Sequence, residues 1–150
     1  MVEGRLHSGL SRADIGRRAR AMLVALQMED SELSILLTSD DQIKKLNQIY
    51  RKKNQSTDVL AFSQREGALA HCSGRLLGDV VLSVPTARRQ AEARGGDLVS
   101  ELTMLLAHGL LHLLGWDHET PMKDRRMRRE TDRLCAAADA AARRASRTTH

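Results

Sequence analysis

The sequence predicts an α/β (α+β) fold: a small mixed β-sheet of about four strands, covered by helices, with a central buried helix that carries the candidate metal site. Three observations lead there. Short aliphatic, β-branched runs at 32–39, 58–64 and 76–84 are bounded by turn formers, as strands are. Amphipathic stretches at helical spacing are interleaved with them, in the order αβα-β-β-αα expected of a sheet covered by helices. Residues 97–114, DLVSELTMLLAHGLLHLL, are apolar in nearly every direction around a helix axis, so that helix belongs in the interior.

Taken in order, residues 11–28 open on Ser11 as an N-cap. They place Ile15, Ala19, Met22, Leu23 and Leu26 on one face and Arg12, Arg17, Arg18 and Arg20 on the other, an amphipathic surface helix. ELSILLTS (32–39) reads as a buried strand. SDDQIKKLNQIYR (39–51) starts with Ser39 and two acidic residues, which suit a helix N-terminus. DVLAFSQ (58–64) and LLGDVVLSV (76–84) are strands, and the segment between them is an exposed loop or hairpin connection. Pro85 suits the first turn of a helix that Gly95-Gly96 stops near Arg94. Asp97 caps the central helix and Gly115 ends it. KDRRMRRETDRL continues as a basic helix. At 150 residues the chain is one domain, placed at 1–137, and 138–150 is an Ala/Arg-rich tail, either a frayed helix or disordered.

Composition narrows the function classes. Hydrophobic residues make up 41 %, enough for a core, but the only aromatics are Tyr50, Phe62 and Trp116, so that core is aliphatic. A formal net charge of +5 favours an anionic partner without naming one. Cys72 and Cys135 are far apart in sequence and form no CxxC pair, which reads as reduced thiols. The N-terminus has no apolar core of a signal peptide, and LTMLLAHGLLHLLGW is too short to cross a bilayer and carries two histidines. A cytoplasmic protein with no membrane partner is expected.

HGLLHLLGWDH (108–118) carries the chemistry. His108 and His112 are i, i+4 on one helical face, about 6 Å apart in rise, and within about 40° of Glu101. Gly115 permits a left-handed exit that can swing His118 round as a third ligand. Three neutral imidazoles suit one Zn²⁺ per chain and leave a position open for water, as in catalytic sites. A zinc protease has its catalytic glutamate after the first histidine, where this chain has Gly109. That tilts the chemistry from peptides toward phosphodiesters, where a neighbouring 2′-hydroxyl can attack and cationic stabilisation counts for more. Glu101 or Asp117 could act as base instead. Asp117 could also orient a ligand imidazole or simply shape the turn. His7, His71 and His150 read as surface residues.

The same stretch follows the signature HGxLHLxGyDH of the YbeY-type endoribonucleases, or rRNA maturation factors, with Trp116 where tyrosine is usual. LNQIYRKKNQSTDVLAF (46–62) resembles the family's LNxxYRxxxxxTDVLSF segment, LLGDVVLS (76–83) its LGDIxIS strand, and MRRE (127–130) its Met and downstream acid. The resemblance covers roughly residues 30–135. Ala61 and Ser63 replace the family's serine and proline, 64–75 lacks its acidic proline-containing run, and the tail has no counterpart. The resemblance implies a zinc ion on His108, His112 and His118 and a functional arginine at Arg51. It further implies metal-dependent cleavage of single-stranded RNA in 16S rRNA 3′-end maturation and ribosome quality control, with the ribosome or ribosomal proteins as partners.

On chemistry alone, the Arg51 guanidinium can hold a phosphate bidentately. Lys52, Lys53 and Arg75 extend the charge. Asn47, Thr57 and Asp58 read as backbone-holding residues. Tyr50, Phe62 and Trp116 can stack an unpaired base, although core packing suits Phe62 better. Two rivals to the nuclease stand: a biogenesis factor that grips pre-rRNA or a ribosomal protein with incidental cleavage, and a peptidase-like hydrolase disfavoured by Gly109.

Overall fold

The computed structural model describes residues 2–4, 11–63 and 76–148. In chain order these form β1 (Val2–Gly4), α1 (Arg12–Ala25), β2 (Glu32–Thr38), α2 (Asp40–Arg51), β3 (Val59–Ser63), β4 (Leu76–Ser83), α3 (Val84–Arg94), α4 (Leu98–Leu113) and α5 (Pro121–Thr148). The sheet is mixed, in the order β1-β2-β4-β3: β2 runs parallel to β1 and β4, and β3 pairs antiparallel to β4. The short β1 is an edge strand that the sequence pattern did not reveal. The 64–75 connection, with His71, Cys72 and Arg75, lies outside the described residues, as do His7 and His150.

Side-chain alternation sorts the strands between two cores. Leu33, Ile35, Leu37, Val80 and Leu82 join the larger core with α1, α3, α4 and α5. Val81 and Leu60 form the smaller one with Ile43 of α2, flanked by Leu36, Leu46 and Phe62. Thus α2 covers one face of the sheet and α4 lies on the other, with nine of its sixteen residues buried. The caps follow local sequence. Ser11, Ser39, Ser83 and Asp97 each accept a hydrogen bond from the backbone N–H three residues on. Thr120 does the same for Lys123 at the start of α5, where Pro121 follows it.

Close approach of α4 to the sheet depends on Gly109. A Cβ there would stand 2.7 Å from Val80 Cγ1 and 3.2 Å from Val59 Cγ2, both on stiff β-branched side chains. The glycine that replaces a protease's glutamate therefore faces the sheet, in a direction with no room for a carboxylate.

One expectation needs correcting. Arg18 does not belong to the solvent face of α1. Its side chain is only 12 % exposed, donates to Asp14 at 3.1 Å and Asp139 at 2.6 Å, and reaches Thr103 Oγ1 at 3.2 Å. One guanidinium thus ties α1, α4 and α5 together, with every close anion paired. Of the two readings of the tail, the helix is the one seen: α5 continues to Thr148, and Ala138 is fully buried. Alanine is the strongest helix former, and Met127, Thr131, Leu134 and Ala138 form one buried stripe against the core. Arg133 also donates to the Ala25 carbonyl at the end of α1. Cys135 is a free, half-buried thiol; burial, then the charges of Asp139 and Asp132, push it up to about 11.

A single carboxylate seats α2. Asp40 accepts from Ser83 Oγ at 2.5 Å, Thr86 Oγ1 at 2.6 Å, Ser56 Oγ at 3.3 Å and Arg89 Nη2 at 2.8 Å. Burial works to raise its pKa, but the hydrogen bonds from Ser83, Thr86 and Arg89 and the Arg89 charge outweigh it, lowering the value from 3.8 to about 2.

Gly109→Ala should destabilise the protein by about 1–2 kcal/mol in urea unfolding, overpacking against Val80 exceeding the helix propensity gained. Val80→Ala in the same chain should recover part of the loss, a non-additivity the double-mutant cycle reads. The Asp40 pKa is lower folded than unfolded, so its contribution is fully present above pH ~4 and lost as pH falls toward 2. Asp40→Asn should flatten that part of the stability–pH curve, removing on the order of 1–2 kcal/mol of its change.

Candidate metal centre and its cationic edge

The histidine face is built by the end of α4. Leu114 caps the helix, Gly115 N–H donates to the His112 carbonyl at 3.0 Å, and Trp116 N–H donates to the Leu111 carbonyl at 3.0 Å. This is a Schellman closure with Gly115 at φ +91° in the left-handed region, and Trp116 packs back onto the core. The chain consequently reverses, and the His118 ring lies 5.9 Å from that of His112, edge to face. Two imidazoles on one tetrahedral Zn²⁺ sit about 5 Å apart, centre to centre.

His108, one turn earlier, is half-buried, whereas His112 and His118 are exposed. Burial first, and then the charge of His112, lowers the His108 pKa; the Asp58 carboxylate opposes this, and His118 and Arg94 add to the lowering. The lowering favours the neutral form, in which an imidazole has a lone pair to give. Among the described residues no group of three or more His, Cys, Asp or Glu stands in metal-holding geometry. The donor chemistry and the His112–His118 spacing suit zinc, and bringing all three nitrogens onto one ion takes rotation of side chains, two of which are exposed.

Neither acid considered as a base stands beside the histidines in a free form. Glu101 is buried about 10 Å of helix rise before His108, 3.7 Å from Arg94. Asp117 shapes the turn: it accepts from Glu119 N–H at 3.0 Å and lies 3.4 Å from Lys123 Nζ. Asp58 has a larger part than the sequence indicated. Its carbonyl accepts from Ser83 N–H, its carboxylate from Gln90 Nε2 at 3.2 Å, and its charge acts on His108. Its place just before β3, the strand beneath α4, was the available clue. Asn47 is buried and donates to the Gln55 carbonyl, holding the loop after α2.

Arg51 and the histidines meet β3 from different elements. Val59 of β3 lies against Gly109, next to His108. Two residues on, the Ala61 carbonyl accepts from Arg51 Nη2 at 2.7 Å, and the Arg51 guanidinium carbon lies 4.9 Å over the Phe62 ring. At the far end, a Cβ at Gly78 would fall 2.2 Å from the Phe62 carbonyl oxygen and 3.0 Å from Leu113, the neighbour of His112. Thus β3, an edge strand, runs beneath the histidine-bearing part of α4 and anchors Arg51 midway. Lys52 and Lys53 are exposed at the end of α2.

The profile of the family described as Endoribonuclease YbeY matches residues 10–139. Relatives of that name include one from Anaeromyxobacter dehalogenans, 50 % identical over 122 residues, and one from Aquifex aeolicus, 42 % identical over 118. These alignments take in 80 % and 79 % of this chain, and 61 % and 77 % of the relatives. The chain thus spans less than two thirds of the Anaeromyxobacter relative's length. A solution structure from Thermotoga maritima shares the fold at a TM-score of 0.64 and 23 % identity, covering 95 % of this chain and 92 % of that one. The profile's span, residues 10–139, contains α4, its Schellman turn, the β3 edge and Arg51: the chain belongs to the endoribonuclease YbeY family.

Proposed function

We propose that this chain is a zinc-dependent endoribonuclease that cuts single-stranded RNA in rRNA maturation, at the 16S 3′ end, and in ribosome quality control. His108, His112 and His118 would hold the metal and Arg51 the scissile phosphate. The observation that carries the reading is the approach of His118 to His112 across the Gly115 turn, one helical turn after the half-buried His108. Family membership supplies the reaction class.

Zinc bound there would lower the pKa of a coordinated water toward ~7 and offset negative charge on a phosphoryl oxygen. The protein's own residues do the rest. Arg51, already ordered by the Ala61 carbonyl and the Phe62 ring, presents a permanent cation to the phosphate and to the charge that grows on it. Asp58, fixed by Gln90 and Ser83, places a negative charge that acts on His108. Gly109 leaves no carboxylate next to His108, consistent with a reaction whose nucleophile needs no protease-type base.

His112→Ala should lose the zinc expected on the parent at about one ion per chain, read by elemental analysis, together with cleavage of a labelled single-stranded RNA. Retained cleavage by the metal-free variant would overturn the mechanism. Arg51→Ala should keep its zinc and lower kcat/KM roughly 10- to 100-fold. Tight RNA binding with no chelator-sensitive cleavage in the parent would favour the RNA-gripping factor instead.

A further inference from the structure

Among the described residues, Ile49 at 66 % and Tyr50 at 61 % exposure are large apolar side chains adjacent in sequence, left in water at the end of α2. The other two aromatics are used differently. Trp116 packs on the main core and Phe62 on the smaller one. Tyr50 belongs to neither, so burial does not account for its position. Its ring centre lies 5.2 Å from that of Phe62 at 59°, so Phe62 braces it from the sheet side while most of the side chain faces solvent. Cations follow it in the chain: Arg51 over the same Phe62 ring, then exposed Lys52 and Lys53. An exposed ring among cations has the composition of a surface that stacks bases while neighbouring charges follow the phosphates. A purely apolar protein partner would not explain three consecutive cations.

We propose that Tyr50 is a stacking platform for an unpaired nucleobase of the RNA, next to the phosphate held by Arg51. The inference rests on the RNA reading of the site and names one way that site selects single strands. In a duplex the faces of the bases are already stacked on each other, so a braced ring has nothing to receive. Phe62 is the positioning residue: its ring supports Tyr50 on one contact and Arg51 on another, and its strand leads to Val59 beside the histidine helix. Stacking and phosphate binding are thereby held in one register relative to the site.

The test compares the full-length parent with Tyr50→Ala, Tyr50→Phe and Tyr50→Leu. Binding of a short single-stranded oligoribonucleotide is measured by fluorescence anisotropy in chelator, and KM and kcat by cleavage with zinc. A 2-aminopurine within the RNA reports stacking through quenching. Tyr50→Ala should weaken binding and raise KM by about 5- to 100-fold, with KM moving more than kcat, and should lose the quenching. Tyr50→Phe should match the parent, and Tyr50→Leu should stay impaired. Circular dichroism should show all variants folded, as expected for an exposed side chain. Parent-like affinity and quenching in Tyr50→Ala, or full rescue by leucine, overturns the stacking role while the nuclease reading stands. A parent that neither binds nor cuts RNA overturns both.

Discussion

The contact on which the other features depend is the seat of α4 on the sheet at Gly109. With no side chain at that position, the helix axis comes close enough for Val80 and Val59 to fill the space a Cβ would need. Burial of Leu102, Leu105, Leu106, Leu110 and Leu111 follows from that approach, each side chain contributing roughly 1.5–3 kcal/mol of transfer free energy. It also fixes the rotation of the helix. Once Gly109 faces the strands, His108 and His112 are turned toward the β3 edge, and the polar stripe on an apolar helix acquires an address.

The Gly115 turn and the Arg51 anchor complete what α4 begins. A left-handed residue at position 115 brings His118 back over the helix end, and Trp116 locks the reversal by packing on the core. From the other face of the sheet, α2 is fixed at its start by Asp40 and delivers Arg51 at its end to a carbonyl of β3. An edge strand leaves one row of its backbone groups outside the sheet. Here one of those carbonyls holds the guanidinium, so the edge is used to place a cation.

The helical layer outside α4 rests on a second kind of contact. Arg18 gathers Asp14, Asp139 and Thr103 into one part-buried network, and Arg133 caps the end of α1. Charges in such a network are costly to separate, because removing one leaves the others unpaired. The arrangement explains why α5 stays attached as far as Asp139 and runs on as a helix through its alanines.

Much of this was legible from the chain alone. The caps at Ser11, Ser39 and Asp97, the stop at Gly95, the buried rod at 97–114 and the i, i+4 histidines all depend on residues within one or two turns, so local rules reach them. What local rules could not reach was every decision made between segments distant in sequence. Arg18 looked solvated because two of its three partners are 85 and 121 residues away. Gly109 read as a missing glutamate because the valines that need the space are on strands far from it in sequence. Asp40 read as a helix-start charge, yet its closest donors come from β4 and α3. Local patterns were enough to read the elements and the chemical character of the histidine stretch, since spacing and turn chemistry are properties of a continuous segment. Which way that stretch faces, and which cation and aromatic ring share its edge, emerged with the packed fold, because those depend on how closely two backbones can pack.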